Sequence, residues 1–252
     1  MAVGQLRRRI GATAPVRALT DARPVARLLS LRTYSRLTET PVRFAASELT
    51  LRRQRATYRL QGADVVVTVR HGTPDLFTLD QTFHQGHLEP PAEIAAVLAR
   101  KTRPLTVVDL GANIGMFGAF VLQRFPVERM IAFEPDPGNV GVLRETIRAN
   151  GREQDWRVVP ACAGVAPGSL LFAPDEFGVS RIATAGDRHT IEVDVVDALP
   201  YLADADLVKI DVEGAEWDLL RDQRFAQLRR AVVCLEYHPR GCPAAQPREA
   251  AR

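Results

Sequence analysis

From Leu105 onward, short apolar runs alternate with longer stretches whose apolar residues recur at helical spacing. Residues 105–109 form a run that ends in an acid, 111–115 a glycine-bearing turn and 116–125 an apolar helix. A second strand is predicted over 130–134 and a second helix over 139–150, where Gly151 supplies the stop. A third strand follows at 156–159. Residues 169–172 and 190–195 read as extra strands in an insertion, and 206–212 and 231–236 as further buried strands around a helix at about 215–228. Such alternation implies an α/β fold with a doubly wound, mostly parallel sheet.

Upstream the pattern is less regular. Residues 57–60 and 64–69 flank Gln61-Gly62-Ala63 as a β-hairpin, and Pro90 and Pro91 open a helix over 92–100. Residues 1–55 read as short helical pieces broken at Pro15, Pro24 and Pro41. The expected organisation is an Arg-rich N-terminal extension (1–55), one main domain (56–240) and a short tail (241–252).

Composition narrows the classes. The 252 residues are 46% hydrophobic and 25% charged, enough for one sizeable core and an appendage. No run approaches the roughly 18 apolar residues that suggest a membrane span, and the start has no secretory-type apolar segment. Cys162, Cys234 and Cys242 lack metal-ligand spacing and make a poor disulfide framework, so a cytoplasmic location is expected. Residues 1–59 carry thirteen arginines against three acids, which leaves the remainder at −7 within a total of +3. No aromatics interleave those arginines, so nucleic acid is not an expected partner.

The chemistry-bearing residues fall at strand ends. Asp109 closes the first strand of the alternating region, and Gly111-Ala112-Asn113-Ile114-Gly115 follows. Small residues there let a ligand approach the backbone, and the next helix offers free N–H groups. Glu134 closes the second strand nineteen residues after Gly115, the place and spacing for a carboxylate that accepts from a ribose diol. The G-x-x-x-G spacing differs from the dinucleotide G-x-G-x-x-G, and Asp109 would repel a pyrophosphate, so S-adenosylmethionine is favoured over NAD. Further on, strand alternation would put Lys209, Asp211 and Glu213 on one face, where three charges need pairing or a cleft. Glu236 and His238 share parity at the end of the last strand. Cys162 follows the third strand, near the expected adenine position, as a small packing residue.

Together, Val108-Asp109-Leu-Gly111-Ala-Asn113-Ile-Gly115, Ala132-Phe133-Glu134-Pro135-Asp136-Pro137, Val208-Lys209-Ile-Asp211-Val-Glu213-Gly-Ala-Glu216 and Glu236-Tyr-His238 resemble the FkbM family of methyltransferases over about residues 80–240. The resemblance implies a class I, Rossmann-like methyltransferase fold, S-adenosylmethionine as cofactor, and O-methylation of a sugar, glycolipid or secondary metabolite. Carried over, Asp109, Gly111, Ala112, Asn113 and Gly115 would hold the methionine portion. Glu134 would hold the ribose, with Pro135 and Cys162 nearby. Lys209, Asp211, Glu213 and His238 would line the transfer site, Asp211 or Glu213 being the first choice of base, His238 the second, and Lys209 orienting the acceptor or its oxyanion. Two acids beside an acceptor could instead hold a divalent cation. The acceptor pocket is expected from residues 172–187 and 83–90 and the N-terminal arm, with His84 and His87 as candidates. The short tail is too brief for the family's closing hairpin, which implies an unpaired sheet edge. Rival readings are an NAD-dependent oxidoreductase, a non-catalytic scaffold of the same fold, and a nucleic-acid or protein amide methyltransferase, against which Lys-Ile-Asp-Val-Glu-Gly stands where an Asn/Asp-Pro-Pro-aromatic tetrapeptide would be expected.

Overall fold

A computed structural model describes residues 31–50, 54–174, 181–183, 186, 189–228, 230–238 and 242. At its centre are five parallel strands. β3 (Leu105–Leu110) is the middle strand and is buried along its whole length, as a strand covered on both faces must be. The chain passes through α4 (Met116–Arg124) to β4 (Val127–Phe133), then through α5 (Pro137–Ala149) to β5 (Trp156–Val159), moving outward on one side of β3. It returns later to the other side as β10 (Leu207–Ile210) and β11 (Val232–Leu235). The resulting order β11-β10-β3-β4-β5 reverses between β3 and β10, where open α/β sheets place their ligands.

Two apolar clusters cover the sheet. Leu98, Val107, Phe117, Phe120, Leu143 and Trp156 belong to one; Val108, Leu110, Phe133, Leu202, Val208 and Leu219 belong to the other. Leu98 comes from α3 (Ala92–Ala99), Leu202 from α6 (Leu199–Leu202) and Leu219 from α7 (Glu216–Arg221).

A third layer lies outside α4 and α5. The hairpin of β1 (Arg55–Arg59) and β2 (Val66–Arg70) packs Tyr58, Val67 and Val69 against Ile114, Met116, Ala119 and Val142. Helix α5 satisfies the outer edge of β2: Thr146 Oγ1 accepts from Thr68 N–H at 3.0 Å, and Asn150 bonds both N–H and C=O of Val66. Residues 31–35 are helical, and α1 (Pro41–Leu49) buries Phe44 against Tyr58 and His71. Pro41 therefore opens a helix instead of breaking one, since a proline in the first turn loses no hydrogen bond. Helix α2 (Asp75–Phe83), which the apolar pattern did not disclose, follows the hairpin.

The insertion forms its own sheet. β6 (Cys162–Gly164) runs parallel to β9 (Ile191–Asp197), β9 pairs antiparallel with β7 (Gly168–Ala173), and β7 with β8 (Arg181–Ile182). The helix expected over 215–228 is shorter, with α7 followed by a 3-10 turn at Phe225–Gln227. Among the described residues no helix is long and apolar enough to cross a membrane. Residues 1–30 and most of the tail lie outside the described residues.

Candidate functional site

The turn after β3 is set by packing against its neighbours. Gly111 has φ +83°, and a Cβ there would sit 1.8 Å from the Asp211 carbonyl oxygen. Gly115 has φ +89°, and its Cβ would meet Leu143 Cδ1 at 2.5 Å. Both positions favour glycine by their positive φ, and at Gly111 the backbone of the chain leaving β10 adds a clash that cannot give way. Gly111 also lines the cavity at this site, so packing and ligand approach both act at that position. Between the two glycines, Asn113 adopts φ +51°, unusual for a non-glycine residue, and its N–H points at Glu134.

Glu134 leaves the end of β4 buried, at 5% exposure. Its Oε2 accepts from Asn113 N–H at 2.7 Å, and its Oε1 from Asp136 N–H at 2.9 Å and Asn139 Nδ2 at 3.3 Å. A carboxylate offers roughly four acceptor positions, so among the described residues Oε2 retains an open one. Burial pushes the Glu134 carboxyl up to about 7, against the three donors that pull it down. The strand-to-helix turn is built by Asp136, which caps α5 through Gly138 and Asn139 N–H, with Pro137 in the first turn.

On the opposite side of the switch point, β10 carries Lys209 directly beside Asp109 of β3. The Lys209 ammonium donates to the Gly111 carbonyl at 2.9 Å, and lies 3.2 Å from Asp211 Oδ2 and 3.5 Å from Asp109 Oδ1. Burial opposes its charge, but Asp211 and Asp109 raise Lys209 above the usual lysine range. Asp109 is fully buried, neither of its oxygens is hydrogen-bonded among the described residues, and burial pushes it up to about 6 despite Lys209.

Alternation along a strand does not bring Asp211 and Glu213 together, because β10 stops at Ile210. Residues 211–214 form a turn in which Glu213 (φ +52°) and Gly214 (φ +114°) take left-handed conformations. The turn is held by Glu216, a fully buried carboxylate that accepts from Val212 N–H at 3.3 Å and Gly214 N–H at 3.0 Å. Glu216 also binds His238 Nδ1 at 2.7 Å, and Trp217 Nε1 donates to the His238 carbonyl at 2.8 Å. His238 Nε2 then faces Glu213 Oε2 at 3.3 Å. The Glu216 bond lifts His238 to about 9, while burial raises Glu213 although His238 opposes the shift. Glu236 is raised by Asp211 and by burial. The role of Glu216 is visible only in the fold, where its carboxylate closes the turn from inside.

These elements surround a cavity of about 310 Å³, at the small end of ligand pockets. Gly111, Asn113, Glu134, Pro135 and Cys162 line one side, Asp211 and Glu213 another, and Leu170, Phe172 and Ile182 of the second sheet close it. Ala112, Gly115, Asp109 and Lys209 are not among the residues that line it. Burial pushes the Cys162 thiol up to about 12, so it packs as a neutral group. His84 and His87 are exposed and away from this cavity, and Phe83 and Glu89 line a separate, smaller one with Arg36 and Arg124. Asp211, Glu213 and His238 bring one ligand atom each within 4.8 Å of one another.

A family model described as the methyltransferase FkbM domain matches residues 109–248, a segment that holds every residue named on this cavity's wall. The chain belongs to the FkbM methyltransferase family. This FkbM domain is 27% identical over 156 residues to Methyltransferase 1 of Beauveria bassiana (strain ARSEF 2860), covering 50% of this chain and 63% of that protein. It is 28% identical over 176 residues to Methyltransferase sdnD of Sordaria araneosa, covering 54% of this chain and 67% of that protein. The chain thus spans about two thirds of the length of these curated relatives. The crystal structure of methyltransferase FkbM from Methylobacillus flagellatus KT aligns with 84% of the FkbM chain and 48% of its own, at 17% identity and a TM-score of 0.39.

Proposed function

We propose that this domain binds S-adenosylmethionine and methylates a hydroxyl of a sugar, glycolipid or secondary metabolite, as a cytoplasmic enzyme acting on a small-molecule or glycan acceptor. One observation carries the reading: the loop after β3 and the acid closing β4 meet, Asn113 N–H to Glu134 Oε2, on the wall of the cavity that Asp211 and Glu213 also line. The residues present suit the cofactor. Glu134 has an open acceptor position for a ribose hydroxyl, and Pro135, Cys162 and Ala163 offer a small-residue wall for the base. When bound, the cofactor supplies an electrophilic methyl group.

The protein's share is to bind, to align and to take a proton. An alcohol attacks poorly until its proton leaves, so a base must stand within hydrogen-bonding reach. Glu213 is assigned that role, because it lines the cavity and burial makes it a stronger base than an exposed glutamate. His238, protonated at neutral pH, balances the Glu213 charge and is not itself the base. Asp211, tied to Lys209, orients the acceptor. Lys209 donates to Gly111 and is ion-paired with Asp211 and Asp109, so it serves the loop and not a forming oxyanion.

A second reading of Asp211, Glu213 and His238 has their mutual spacing behind it, as the ligand set of a divalent cation. The Glu216 bond to Nδ1 leaves Nε2 toward Glu213, the arrangement in which an imidazole ligates a metal. Loss of turnover on chelation, restored by a divalent cation, would favour this alternative. The main test follows methyl transfer from labelled S-adenosylmethionine to a panel of hydroxylated acceptors. Glu213→Gln should lose roughly 10²- to 10⁴-fold in rate while still binding S-adenosylhomocysteine. Full activity in that variant removes Glu213 from the reaction, and binding with no transfer to any acceptor favours a scaffold.

A further inference from the structure

Glu134 is also held from outside the matched segment. Arg70, the last residue of β2, donates Nε to Asp75 Oδ2 and Nη2 to Asp75 Oδ1, each at 2.8 Å. Its backbone N–H reaches the same carboxylate at 2.8 Å, and Asp75 is buried at 3% exposure. The fork is thereby fixed, and Nη2 donates onward to Asn139 Oδ1 at 2.8 Å. A guanidinium can only donate, so the amide oxygen of Asn139 must face Arg70 and its NH₂ must face away. That NH₂ donates to Glu134 Oε1 at 3.3 Å, and both Asn139 and Glu134 line the cavity.

From this chain of contacts we infer that Arg70 is a positioning residue for cofactor binding: through Asn139 it fixes the direction of the Glu134 carboxylate and leaves the open acceptor position of Oε2 for the ligand. The inference rests on Glu134 as the nucleoside-binding acid. It makes the N-terminal hairpin part of the cofactor site, although the hairpin precedes the matched family segment. The simpler alternative is a staple, in which Arg70 and Asp75 only fasten β2 to α2. A staple has no need of Asn139, and the relay does.

A double-mutant cycle separates the two. S-adenosylhomocysteine is titrated calorimetrically into the full chain as wild type, Arg70→Gln, Asn139→Ala and the double variant, with Tm recorded for each. Each single change should weaken binding roughly tenfold, the lower end of what outer-shell partners contribute. The double variant should bind no more weakly than Asn139→Ala alone. Unchanged affinity in either single variant, or losses that multiply in the double, would overturn the relay. If Arg70→Gln does not fold, Arg70→Lys replaces it: the ammonium cannot span Asp75 and Asn139 together, and the same lack of additivity is expected. Wild-type protein that binds no S-adenosylhomocysteine would sink the cofactor reading itself, whereas wild-type binding with multiplying losses sinks only the role of Arg70.

Discussion

The Lys209 ammonium stands 3.5 Å from the fully buried Asp109 carboxylate, its register partner on the adjacent strand. Two charges taken out of water are tolerable only together. Lys209→Met should therefore cost about 3–5 kcal/mol in denaturant unfolding, because it strands a buried carboxylate. Adding Asp109→Asn to that variant should recover much of the loss. A fully additive penalty would mean that the pair does not compensate itself.

Gly111 separates packing from ligand contact. Gly111→Ala drives a methyl into the Asp211 carbonyl at a left-handed φ, so the expected loss is about 3 kcal/mol or more of stability in the absence of any ligand. Chemical denaturation checks this. A variant as stable as the wild type but poor in ligand binding would make ligand approach, and not packing, the reason for glycine here.

His238 gives a pH signature. Its folded-state value, about 9, lies above the ordinary histidine value of 6.5, so the Glu216 bond stabilises fully below 6.5 and the gain disappears as pH rises through about 9. The Tm difference between wild type and His238→Gln should be largest near pH 6 and fall to a smaller, constant value by about pH 10. A difference that is flat across this range would contradict the charged pair.

Burial also leaves Glu134 titrating near neutrality, which couples ligand binding to protons. Ribose hydroxyls donate to the ionised carboxylate and favour it over the protonated form. Affinity for S-adenosylhomocysteine should therefore rise as pH passes upward through about 7, with proton release near that pH. Calorimetry in two buffers of different ionisation heat measures the release. Binding that takes up protons would contradict the assignment.

The alternating core was legible because its strands are short apolar runs closed by acids, and the spacing from Gly115 to Glu134 identified the carboxylate that reaches Asn113. Boundaries shifted where backbone conformation overrode pattern. The expected strand through Val212 ends at Ile210 because Glu213 and Gly214 turn left-handed, so Asp211 and Glu213 converge through Glu216 and not through alternation. The Lys209–Asp109 pairing depends on strand register, which periodicity within one strand does not encode. Arg70 reaches Asn139 across sixty-nine positions, and only the packing of the hairpin on α5 makes them neighbours. Helix α2 was hidden because polar Asp75 and Asp80 are buried in it.

Calorimetric titration of S-adenosylhomocysteine into wild type and Glu134→Gln tests whether Glu134 and the loop after β3 hold one adenosyl ligand. The wild type should bind, and the amide should weaken binding by roughly 10- to 100-fold, the order expected for a hydrogen bond to a charged group. A wild type that gives no heat, or a Glu134→Gln variant that binds as tightly as the wild type, would contradict that binding mode.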